Sequence, residues 1–248
     1  MAAIYILWLR QLKRYIRARA RVIGSLGQPL LFLLAMGFGF GPTYQKAGGG
    51  NYIQFLAPGI IAMGILFTGL FSGIEILWDR QFGFLKETLV APVPRLNIVL
   101  GRTLGGATIA LIQGSIVFGV CLIAGFRVEN LSLIPIALAF MILISVAFTA
   151  VGTVFGSVLE DMQAFPVIMN FLVMPLFFFS GALFPLDGLP RALRLATELN
   201  PLSYGVDGLR GALTHGFVFG LGTDFVVLGV VTTALLGIGS YLFSRIQL

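Results

Sequence analysis

Charge is scarce in this chain: 10% of its 248 residues are Asp, Glu, Lys or Arg, against roughly 25% in soluble domains. So little charge excludes a water-borne globule, and the 58% hydrophobic content points to an integral membrane protein. Cys121 is the only cysteine and stands inside an apolar run, which excludes an internal disulfide, a CxxC pair and a cysteine metal cluster and leaves the redox compartment open. His215 is the only histidine and lacks a Cys, Ser or acidic partner at motif spacing. It reads as a surface residue, and no catalytic, metal or cofactor-binding residue is assigned. Gly-Lys never occurs, so the phosphate-cradling loop that ends in Gly-Lys-Ser/Thr is missing, and any ATPase must be a separate subunit. Nor do acids stand at the middle of an apolar run, where they would mark an ion path. A net charge of +6 would suggest nucleic acid in a soluble protein. Here the basic residues flank apolar runs and set topology instead, so no nucleic-acid partner is expected.

What the chain does have is apolar runs long enough to cross a ~30 Å hydrocarbon core at ~1.5 Å per residue. Six are expected, over residues 22–41, 53–76, 103–125, 131–158, 162–183 and 225–244, with Pro58 kinking the second and a tight Glu160-Asp161 turn joining the fourth to the fifth. The first run resembles a signal peptide but lacks a small-residue cleavage pattern, so it reads as an uncleaved span. The expected fold class is therefore all-α, a polytopic membrane protein with one domain over 1–248. Residues 1–21 form an interfacial helix, 22–183 hold five spans, 184–222 an outer segment, and 223–248 the sixth span and C-terminus.

Three polar segments carry the functional signal. In residues 4–21, Ile4, Tyr5, Trp8, Leu12, Tyr15 and Ile16 share one helical side, and Arg10, Lys13, Arg14, Arg17 and Arg21 the other. This suits an amphipathic helix lying in the interface, the alternative being a basic tail that only orients the first span. In residues 79–102, a polar loop between two apolar runs, Phe82, Leu85 and Leu89 fall on one face of a short helix with Lys86 and Glu87 opposite, and Pro92 and Pro94 end it. Its apolar face needs a partner surface, lipid headgroups or protein, and we favour protein. Residues 184–222 are too polar to span and show two short helices broken at Asn200-Pro201, either a re-entrant hairpin at the outer leaflet or an ordinary surface loop.

Eleven Lys and Arg fall on the side of the termini and the 79–102 loop. Five, Lys46, Arg127, Arg191, Arg194 and Arg210, fall on the other, so the former side is expected to be cytoplasmic. Glu75, Glu160 and Asp161 are expected at cytoplasmic span ends, where water and basic side chains can reach them. Gly69/Gly73, Gly101/Gly105 and Gly152/Gly156 read as close-packing pairs. Phe171 and Phe177 to Phe179 suit either an apolar cargo path or lipid.

The whole chain resembles the permease subunit of type-2 ABC exporters, nearest to drug-exporter and nodulation-type members. The resemblance is carried by RARARVIGSLGQPLLF, by FLKETLVAPVPR with the GR at 101–102, and by NPLSYGVDGLRGAL. It implies that Phe82, Phe84, Leu85, Lys86, Glu87, Leu89, Ala91, Pro92 and Arg95 belong to a coupling helix that contacts an ATP-binding subunit. It implies likewise that Asn200, Pro201, Tyr204, Asp207 and Arg210 belong to an outer gate of re-entrant helices before the sixth span. The implied assembly has two ATP-binding subunits, which hold ATP and Mg, and a second permease copy in a homodimer or heterodimer. It sits in lipid of the inner (plasma) membrane and exports a small amphipathic or hydrophobic substrate such as a drug or a lipid-linked molecule. A polysaccharide or lipid-linked glycan exporter of the same family is the alternative, and outside the family a secondary carrier or membrane anchor.

Overall fold

The computed structural model describes residues 2–48, 50–84, 93–186, 190–214 and 216–245. Among them the chain is helical, and it is arranged around a helix whose sequence is apolar on every side over residues 55–74. This helix, α4 (Tyr52–Gln81), buries nineteen of its thirty residues and carries Pro58 inside it. Asn51 caps it by accepting a hydrogen bond from the Ile53 amide at 3.0 Å. The helices α2 (Arg19–Gly39), α5 (Arg95–Ile123) and α6 (Ile134–Val158, after a 3-10 turn at Leu131–Leu133) pack against it. The short α3 (Gly41–Lys46) lies between α2 and α4.

Close approach of α4 and α6 explains two of the three glycine pairs. A Cβ on Gly73 would strike the Gly152 carbonyl, and one on Gly152 would lie 2.9 Å from the Gly69 carbonyl. The third pair seats α1 (Ala2–Arg17) on α5: a Cβ on Gly101 would meet Leu7 and the Ile4 backbone, and one on Gly105 would meet Gln11. Trp8 donates to Thr108 at 3.0 Å, and Tyr15 donates to Gln113 at 2.6 Å. The segment expected to rest on headgroups is thus a helix that also packs on protein, and it ends at Arg17 rather than continuing to 21. Its buried side is not quite the expected one, since Tyr5 and Ile16 are exposed while Leu7 and Gln11 sit at the seat.

The span count differs from expectation. Among the described residues five helices have the length and composition to cross a membrane: Arg19–Gly39, Tyr52–Gln81, Arg95–Ile123, Leu131–Val158 and Leu221–Ser244. The run expected to be the fifth of six forms only α7 (Ala164–Phe178), whose middle turn, Met169–Val173, is a π-helix between Pro166 and Pro175. At ~1.5 Å per residue, α7 falls well short of ~30 Å. The apolar run goes on to Leu183, but its backbone leaves the helix at Phe179 and turns through Gly181, with φ +73°. Composition cannot report this, because the turn is apolar and its carbonyls are satisfied by side chains from elsewhere. The outer segment then forms α8 (Arg191–Leu199) and α9 (Pro201–Thr214), broken at Asn200 as expected, and the chain finishes in α10 (Leu221–Ser244).

Candidate functional site

Charged side chains gather at the end of the bundle where α4 finishes and α5 begins. Arg102 donates to Asp79 at 2.5 Å, both being almost fully buried, and Arg10 of α1 reaches the same carboxylate at 3.5 Å. One turn back on α4, Glu75 is 6% exposed and accepts from Arg21 of α2 at 2.5 Å. Arg80 reaches the Leu159 carbonyl and Glu160 at 3.3 Å, tying in the end of α6. Ile76, Ile98, Val99 and Phe243 form a small apolar cluster beside Leu7, and Arg95 donates to the Ser244 carbonyl. The start of the chain, the end of α4, the start of α5 and the end of α10 therefore lie at one end of the molecule.

Two expectations are corrected here. Asp79, Arg80 and Arg95 to Arg102 belong to helices rather than to a loop, which shortens the connection to residues 82–94. Glu75 meets a basic side chain as expected, but it is shut off from water, the buried half of an ion pair. Charge marked these residues as loop, yet opposite charges that meet can stay inside a bundle. Of the expected coupling residues, Phe82 and Phe84 are exposed beyond the end of α4, and Arg95 opens α5. Leu85, Lys86, Glu87, Leu89, Ala91 and Pro92 lie outside the described residues, as does His215.

The expected outer residues do come together, around the turn after α7. Asn200 donates to the Leu176 carbonyl at 2.6 Å and accepts from the Leu202 amide, so one side chain caps α9, where Pro201 is the first residue, and holds the end of α7. Arg210 is 7% exposed; it donates to the Gly181 carbonyl at 2.8 Å and lies 4.1 Å from the centroid of the Phe55 ring. Tyr52 donates to the Leu183 carbonyl at 2.6 Å. Gly59 lets the turn rest on α4, since a Cβ there would strike the backbone of Ala182. Tyr204 donates to the Glu198 carbonyl, and Asp207 accepts from the Val218 and Phe219 amides. Backbone that leaves helical geometry inside an apolar bundle needs such partners, and these residues supply them.

Sequence reasoning missed Asp224, which is fully buried in the first turn of α10 beside Asp207, with no hydrogen-bond donor to either oxygen among the described residues. It also missed Tyr52, Phe55 and Gly59, apolar or small residues whose partners lie more than a hundred positions away. The pairing of Asp79 with Arg102 had a readable signal, an acid and a base at opposite ends of one short polar stretch.

A cavity of about 470 Å³ opens between the start of α2 and the second half of α4. Arg21, Glu75 and Trp78 stand at one end of it and Pro29, Met63 and Gly64 at the other. Tyr15 borders the charged end, and its burial pushes the phenol above its ordinary pKa, so it remains a donor.

An all-helical bundle with five helices long and apolar enough to cross a membrane among the described residues is the architecture of an integral membrane protein. The ABC-2 type transporter family model matches residues 2–214, and the chain belongs to that family. It is 31% identical over 208 residues to nodulation protein J of Rhizobium leguminosarum bv. trifolii, covering 83% of this chain and 76% of that protein. To ycf38 of Cyanophora paradoxa it is 30% identical over 203 residues, 78% of this chain and 68% of the other. The inner membrane transport permease YadH of Escherichia coli K12 is 26% identical over 219 residues, 87% of this chain and 83% of YadH. The similarity to nodulation protein J accords with the nodulation-type resemblance read from the sequence.

Proposed function

We propose that the chain is the membrane-embedded half of an ATP-driven exporter for a hydrophobic or amphipathic substrate. It works as a pair of permease chains with two ATP-binding subunits that carry ATP and Mg. Residues 82–94 face the cytoplasm and dock on the ATP-binding subunit through Phe82, Leu85 and Leu89. Closure of the ATP-binding pair moves this segment as a lever and shifts the permease pair from inward-open to outward-open.

The observation that carries the reading is the buried Asp79–Arg102 pair, with Arg10 on the same carboxylate. It closes the base of the segment and joins α1, α4 and α5 into one block, while Arg21–Glu75 adds α2. A push on a connection anchored in this way moves four helices instead of bending one loop. At the other end Asn200, Tyr204, Asp207 and Arg210 act as the brace of an outer gate.

The test is Leu85→Asp with Leu89→Asp. Apolar interface anchors are worth ~2 kcal/mol or more each, so the double variant is expected to lose ATP-binding-subunit pull-down by tens-fold at equal amounts of folded permease. Unchanged yield removes the docking assignment.

A further inference from the structure

The cavity between α2 and α4 is amphipathic along its length. Met63 to Trp78 on α4 span about 22 Å at ~1.5 Å per residue. Over that distance the wall changes from Pro29 and Met63, through Phe67 and Phe71, to Arg21 and Glu75. At the charged end Glu75 is already committed to Arg21 and is almost shut off from solvent, whereas 36% of the Arg21 side chain is exposed. A second cation, Arg14, stands behind the lining, 5.8 Å from the centroid of the Trp78 ring. The charge that an incoming head group meets is therefore positive. A guanidinium has five N–H donors in a fixed fork, and one carboxylate oxygen on Arg21 leaves donors for a second anion.

The apolar walls touch α7, whose helical ladder is interrupted by a π-helical turn. Phe71 stacks on Phe165 with centroids 6.0 Å apart, and Phe67 meets Phe177 at 6.3 Å, on either side of the π-helical turn of α7. A volume of about 470 Å³ suits one drug-sized ligand rather than a two-chain lipid.

We propose that this cavity binds a single-chain amphiphile with an anionic head, carboxylate or phosphate, the head on Arg21 and the chain along Phe67 and Phe71. Glu75 is the positioning residue that holds the guanidinium at the mouth. That the ligand is exported cargo rests on the function proposed above; its binding requires neither ATP nor a partner subunit.

Trp78 lines the cavity and Trp8 is the only other tryptophan, so Trp8→Phe leaves one reporter. In nanodiscs of phosphatidylcholine, 11-bromoundecanoate is expected to quench Trp78 saturably, and about tenfold more tightly than an 11-bromoundecyl trimethylammonium probe. Replacing Arg21 and Glu75 together by Gln avoids a lone buried charge and is expected to weaken the anionic probe by about tenfold, the scale of one charge-assisted hydrogen bond. Gly24→Leu projects into the cavity from a position where a Cβ meets nothing within 4 Å, and is expected to abolish saturable quenching without unfolding α2. Non-saturating quenching that is equal for both probes, tighter binding of the cation, or no effect of either variant overturns the proposal. Competition by added phosphatidylglycerol would make the occupant a bilayer lipid, which also overturns it. Failed binding alongside an intact ATP-binding-subunit pull-down removes the ligand class alone. The reverse result removes the exporter reading alone.

Discussion

Arg102 illustrates how a charge is kept inside an apolar bundle. It is 5% exposed, donates to Asp79 at 2.5 Å, and leaves its Nε without a partner among the described residues. Removing one member of such a pair strands the other, which typically costs ~3–5 kcal/mol, while replacing both by apolar residues of similar volume is often neutral or better. Arg102→Met alone is therefore expected to lower the unfolding temperature of the purified permease sharply, and Asp79→Leu with Arg102→Met to recover most of the loss. If the double variant keeps stability but loses coupled ATP turnover, the pair serves transmission more than folding. If single and double variants are equally unstable, Arg10 or another group depends on the Asp79 carboxylate more than the distances suggest.

Helix packing turns on the glycines of the α4–α6 seam. There is no room for a methyl group at Gly73, because the obstruction is the backbone of Gly152 and cannot rotate away. Gly229 on α10 has nothing within 4 Å of a Cβ. Gly73→Ala should separate the two helices and reduce both folded yield and thermal stability. Gly229→Ala should be neutral or gain up to ~1 kcal/mol, since alanine is the better helix former. Equal behaviour of the two variants in a thermal-stability assay would mean that the seam is loose. α7 stands apart from these rigid contacts: it meets α2 and α4 chiefly through the rings of Phe165 and Phe177, and it carries the π-helical turn. Apart from the Asn200 hydrogen bond at its end, α7 is held by rings rather than by interlocked backbones, so its start can shift without breaking a seam.

Across the whole molecule, the ends of α4, α6 and α10, and the start of α5, share one pole, and the braced turn of residues 179–186 rests on the opposite half of α4. From the 11 to 5 division of basic residues we propose that the first pole faces the cytoplasm. With Cys121 replaced by Ala, single cysteines at the exposed Gln81 and Arg194 should then react with an impermeant thiol reagent from opposite faces of the membrane. In intact cells Arg194→Cys labels and Gln81→Cys does not. Equal labelling of both removes the orientation.

By itself the sequence determined what depends on local composition and spacing. The apolar runs declare a helical membrane protein, the aromatic and basic periods of residues 4–21 declare an amphipathic first helix, and Asn200-Pro201 declares the break before α9. Only the tertiary structure decided where opposite charges cancel and where an apolar run stops being a helix. Asp79 and Arg102 look like loop residues until they are found facing each other. Residues 179–183 look like the end of a span until Tyr52, Gly59 and Arg210 are found receiving their backbone. Both are contacts between residues distant in the chain, and in a low-dielectric interior such contacts, rather than the polarity of a segment, decide whether polar groups can stay inside.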